Sequence, residues 1–107
     1  VVPEGSYTVT WAPIPGLDCP EALLPTVPTF TEATMTTTAD GVVIGTADTS
    51  YLLTNQGGNW VYMDFKDDGS GASLSLSQVM DDGTVTGSFN SFNPSGDFCL
   101  MQFTFTP

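Results

Sequence analysis

The chain has no histidine and one basic side chain, Lys66, against twelve Asp and Glu, for a formal net charge of -11 over 107 residues. Without histidine there is no Ser-His-Asp or Cys-His nucleophile set, and the commonest zinc and copper ligand is missing. Without clustered Lys and Arg there is no means of displacing counterions from a nucleic acid, and no attraction to an anionic membrane surface. No apolar run approaches the ~20 residues of a membrane-spanning helix, so no membrane insertion is expected. No glycine-rich phosphate loop opens a helix, and no Asn-x-Ser/Thr sequon occurs, since Asn90-Ser91-Phe92 and Asn93-Pro94-Ser95 both fail the pattern. Paired carboxylates could in principle hydrolyse a glycoside, but nothing in the sequence places two of them in a cleft. The expectation is a domain that is not an enzyme.

What is present points to strands. Apolar residues make up 40% of the chain and charged residues only 12%, so this is not the composition of a disordered acidic tail. Sixteen Thr, nine Ser and eleven Gly leave a polar surface built mainly from uncharged groups. Period-two alternation recurs: Tyr7, Val9 and Trp11 oppose hydroxyls, as do Ala72, Leu74 and Leu76, then Val85, Gly87 and Phe89, then Cys99, Met101, Phe103 and Phe105. Each stretch reads as an antiparallel strand with one wet face. Thr8 and Thr10, with Thr34, Thr36 and Thr38, read as solvated strand surface of good β propensity.

Turn signals fall between these runs, at Asp40-Gly41, Asn55–Asn59, Asp67–Gly71, Asp81–Gly83 and Asn93–Gly96. Asp-Gly in such places predicts two-residue type I′ hairpins, which need positive φ at both central residues. The expected strands are 5–12, 29–38, 41–47, 49–55, 59–66, 72–80, 84–92 and 97–106. The only candidate helical turn is Pro20–Leu24, with Asp18 as its N-cap. The fold predicted for the single domain 1–107 is therefore all-β: an antiparallel eight-stranded meander forming a small closed or nearly closed barrel, with a β-sandwich as the alternative.

Cys19 and Cys99 are too far apart for a CxxC motif, and two thiols without histidine make a poor metal site. Closing the last strand against the first would put the start of the last beside the end of the first, and so Cys99 beside Cys19. A disulfide between them is expected. It would tie down the proline-rich segment 13–28 and would place the domain outside the cell or on its surface, with a leader or anchor removed ahead of Val1.

Three candidate sites follow. Tyr51, Trp60 and Tyr62 lie in adjacent expected strands. If Val61, Met63 and Phe65 face the core, Trp60 and Tyr62 form an exposed aromatic pair beside Asp64, suited to a glycan or a protein partner. In the other arrangement both faces are partly buried, with Trp60 at a barrel mouth or under the proline-rich segment. Asp64, Asp67 and Asp68 offer hard oxygen ligands, so Ca²⁺ is the one cofactor considered; plain turn chemistry accounts for the same residues. The interior of an eight-stranded barrel holds side chains or one small apolar ligand. The expected function is a non-catalytic secreted or cell-surface domain with a structural or adhesive role. The alternative is a small-ligand or carbohydrate-binding barrel with a site in the interior or on the Trp60/Tyr62 face.

Overall fold

A computed structural model describes residues 2–13 and 19–107. Eight strands follow one another as β1 (Gly5–Pro13), β2 (Glu32–Thr37), β3 (Val42–Gly45), β4 (Ser50–Gln56), β5 (Asn59–Phe65), β6 (Gly71–Val79), β7 (Val85–Phe92) and β8 (Phe98–Thr106). Each pairs antiparallel with the next, and β8 returns to β1, so the sheet closes as a barrel and the sandwich arrangement is set aside. Six pairs make the closure, from Thr8 opposite Thr106 to Pro13 opposite Met101. Closure removes the exposed edges that a chain with one Lys and no Arg has few charged side chains to protect.

Alternation fixes the inside. Val9, Met35, Val42, Ile44, Leu53, Leu74, Leu76, Val85, Phe89, Phe103 and Phe105 are buried in one continuous core. Tyr7 packs tilted against Phe105, and Trp11 packs edge-on against Phe103 with centroids 5.3 Å apart. Room for these rings comes from Gly87, where a Cβ would stand 2.2 Å from the Ser75 carbonyl oxygen and 2.5 Å from the Phe103 ring. A register shift between Leu76 and Gln78 marks a bulge in β6. On the outside Thr86, Thr104 and Thr10 stand side by side across β7, β8 and β1.

The turns differ from expectation. The type I′ pattern occurs at Gly57-Gly58, where both φ angles are positive. At Asp68-Gly69 and Asp82-Gly83 only the glycine has positive φ, and no described non-glycine residue does. Gly69 N–H bonds to Lys66 O while Lys66 N–H bonds to Ser70 O, and the Met80–Thr84 turn repeats this pattern. These are longer loops in which an ordinary turn leads into a left-handed glycine, so a single flexible position is enough.

Strand β2 begins at Glu32 rather than near residue 29, because Phe30 turns inward onto Trp11 and Trp11 Nε1–H donates to Phe30 O. The helical turn is a 3-10 helix at Glu21–Thr26 with Pro20 at its N-cap position and no side-chain cap; the expected cap, Asp18, lies outside the described residues.

Candidate functional site

The segment from Cys19 to Thr31 straps one mouth of the barrel. Cys19 is bonded to Cys99, with Cα atoms 4.5 Å apart across a sequence separation of 80, and Cys99 is fully buried. Leu23 is buried, and Thr26 Oγ1 lies 2.8 Å from Ser91 Oγ, the one described polar residue classed as buried. Beneath the strap runs an aromatic line. Trp11 meets Phe30 at 5.4 Å, Phe30 meets Tyr51 at 6.1 Å, and Tyr51 meets Tyr62 edge-on at 5.1 Å. Burial raises the pKa of Tyr51, with Tyr62 adding to it. Burial also raises that of Tyr62, with the Asp64 charge adding to it.

Two open clefts lie at this mouth. One, of about 560 Å³, lies between the strap and the Thr46–Thr49 hairpin and includes Phe30 and Tyr51 in its walls. The other, of about 370 Å³, lies between the 3-10 helix and the β5–β6 hairpin, with Leu23, Ala72 and Phe92 beside Asp64 and Lys66.

Strand β5 reverses the arrangement that would expose Trp60 and Tyr62, and it does not bury both faces either. Trp60 and Tyr62 turn inward and pack against the core, while Met63 and Phe65 are exposed. The run Trp60–Phe65 is apolar on both faces save for Asp64, so alternation within it does not choose. Its register against β6 does, because Trp60 and Tyr62 sit opposite the buried Leu76 and Leu74. The structure thus brings Tyr51 and Tyr62 together and leaves Trp60 nearer the other mouth, beside Val2 and Gly58.

Asp67 and Asp68 lie in the β5–β6 turn. Asp68 Oδ1 accepts from both the backbone N–H and the hydroxyl of Ser70, and these bonds hold its carboxyl below the usual value. That is turn chemistry. Among the described residues no three His, Cys, Asp or Glu side chains form a group that could hold a metal ion. Asp81-Asp82 occupies the opposite end of the barrel, one strand further on.

The chain matches no protein-family model, no curated protein and no solved structure.

A feature with only a faint sequence signal lies on the outer face. Phe65, Gly71, Phe92 and Phe98 form one row across β5, β6, β7 and β8. Phe65 and Phe98 are 61% and 50% exposed, and the Phe65 and Phe92 rings lie 5.9 Å apart. The two rings close over Gly71, where a Cβ would meet them at 2.6 and 2.8 Å. Alternation in β7 and β8 assigns Phe92 and Phe98 to the wet face, with Thr86 and Gln102. Two phenylalanines among hydroxyls and amides were the signal; their adjacency came only from the register.

Proposed function

We propose that this is a non-catalytic domain of a secreted or cell-surface protein that works by contact, holding a partner against its outer face. The observation that carries the reading is the exposed phenylalanine row, set against an interior occupied by the barrel's own side chains. Exposed apolar surface rimmed by polar groups is typical of an interaction site. The disulfide is compatible with an extracellular setting. No described helix is long and apolar enough to cross a membrane. The outward hydroxyls of β1, β7 and β8 interrupt the continuous lipid-facing band of a transmembrane barrel, which supports a domain working in water. The lack of histidine supports a role without acid–base or nucleophilic chemistry.

The test is adhesion. Beads carrying the oxidised domain are washed over cell surfaces and extracellular matrix, beside beads carrying Phe65→Ser/Phe98→Ser. Retention of the first and release of the second is expected. Equal retention of both would overturn the reading. Both side chains are exposed, so the variant should keep its fold.

A small-ligand site at the strapped mouth is the second reading, favoured by the Tyr51–Tyr62 pair, of which Tyr51 walls one of the two clefts there. Titration with neutral sugars and small apolar compounds, followed by tyrosine ring NMR signals, tests it; unmoved signals would retire it. Calcium at Asp64, Asp67 and Asp68 is tested by the melting temperature in millimolar Ca²⁺, where bound metal would raise it and turn chemistry alone would not.

A further inference from the structure

The acidic residues are not evenly placed between the two ends of the barrel. Among the described residues, Glu21, Glu32, Asp48, Asp64, Asp67, Asp68 and Asp97 fall in the loops and strand ends of the strapped end. Only Glu4, Asp40, Asp81 and Asp82 fall at the other. The phenylalanine row lies at the acidic end. Phe65 immediately precedes the turn that carries Asp67 and Asp68, and Asp97 immediately precedes Phe98. The row is therefore an apolar strip with an acidic turn at each of its edges, Asp97 Oδ2 in one of them accepting from Asn93 Nδ2–H. Lys66, the only Lys or Arg in the chain, stands beside Phe65.

We propose that this strip docks a basic amphipathic segment of a partner protein, its apolar side chains over Phe65 and Phe98 and its Lys and Arg among Asp67, Asp68 and Asp97. The inference rests on the contact role proposed above and names the chemistry of the partner. A second copy of this chain would set one acidic end against another, with a net charge of -11 on each. An acidic partner meets the same repulsion. A basic one gains attraction at long range, which steers encounter, and its cations can lie over exposed phenylalanine faces. The apolar row supplies what charge alone does not, a fixed place on the barrel.

Three synthetic peptides of equal length separate the possibilities, one alternating Leu and Lys, one Leu and Glu, one Ser and Lys. Each is titrated into the oxidised domain while backbone amide NMR signals are followed. The Leu/Lys peptide should shift signals in and around Phe65, Gly71, Phe92 and Phe98 and in the turns beside them. It should bind at least about tenfold more tightly than the Ser/Lys peptide. Phe65→Ser/Phe98→Ser should remove that advantage. Asp67→Asn/Asp68→Asn should weaken binding, whereas Asp81→Asn/Asp82→Asn, equal in charge but at the far end, should not.

Equal binding of Leu/Lys and Ser/Lys, or shifts spread over the whole barrel, would overturn the proposal as mere attraction between net charges. Binding of the Leu/Glu peptide on the same row as tightly as Leu/Lys would overturn the basic partner while leaving the contact role of the face standing. Binding of none of the three would count against the proposal, and the bead experiment, which names no partner chemistry, would then decide the contact role by itself.

Discussion

The two mouths of this barrel are stopped by different pieces of chain. At one, the segment from Cys19 to Thr31 crosses over the strand ends. It is held by the disulfide, the buried Leu23, the Thr26–Ser91 hydrogen bond and the seating of Phe30 on Trp11. At the other, residues just before β1 suffice. Val2 is buried, Tyr7 donates its hydroxyl to Pro3 O, and Thr37 N–H bonds to Glu4 Oε2. The short plug has no covalent tie and leaves beside Val2 and Trp60 a cleft of only about 200 Å³. The long strap is tied across the molecule and leaves clefts, aromatic rings and most of the acidic groups around its margins. Length at one end thus creates surface that economy at the other does not, and the candidate sites fall where the chain was spent.

The sharpest test of this difference is the covalent tie. Cys19→Ser/Cys99→Ser, or reduction, should lower unfolding stability by about 4–5 kcal/mol through the freedom returned to the unfolded chain, less any strain released. Denaturant midpoints at equal slope measure it. A loss no greater than that of the plug variant below would erase the distinction between the ends. Leu23→Ala should cost about 2–3 kcal/mol, because it empties a buried site under the strap. Val2→Ala, at the other mouth, should cost about 1–2 kcal/mol for the two methyl groups it removes. Hydrogen exchange should show each substitution loosening its own end first.

Tyrosine titration reaches both ends at once. Tyr7 lies toward the plug, and Tyr51 and Tyr62 lie under the strap; burial is the leading cause of a raised pKa at all three. A raised folded-state value means stability fully present below the unfolded value of 10.0 and lost as pH rises through the folded one. Tyrosinate absorbance of the folded domain should therefore appear at higher pH than that of the unfolded chain, whose value is 10.0. Ionisation of one or two tyrosines below that pH, with the fold intact, would show one mouth wetter than the other.

The smallest effect concerns the paired turns. Asp68 is lowered chiefly by its bonds to Ser70 and Asp82 chiefly by those to Thr84, one at each end. Lowered values mean stability present above the unfolded value of 3.8 and lost as pH falls through the folded one. Asp68→Ala and Asp82→Ala should each soften the acid limb of the stability profile by a similar, small amount. A marked inequality would show that the two Asp-Gly turns are not equivalent.

Much of this architecture was legible in advance. Alternation and turn residues located all eight strands with ends shifted by at most three residues. The closure that places Cys99 beside Cys19 followed from pairing consecutive strands. The faces of β5 were not legible, since Trp60 to Phe65 satisfies either orientation and only the opposing Leu74 and Leu76 decide. The phenylalanine row was hidden for a similar reason. Its members lie up to 33 residues apart in sequence, as the numbers of Phe65 and Phe98 show, and become neighbours only through three successive registers. The inward turn of Phe30 was hidden too, because its partner Trp11 lies across the strap.

The 80-residue span between Cys19 and Cys99 also sets an order of events as the chain is made. Hairpins from β2 to β7 have all their residues in hand before Cys99 is synthesised. Through that whole interval the native partner of Cys19 does not yet exist. The strap is therefore the last part to be locked. In a compartment where other thiols are being oxidised, the nascent barrel is open to mixed disulfides at this single position until its final strand arrives.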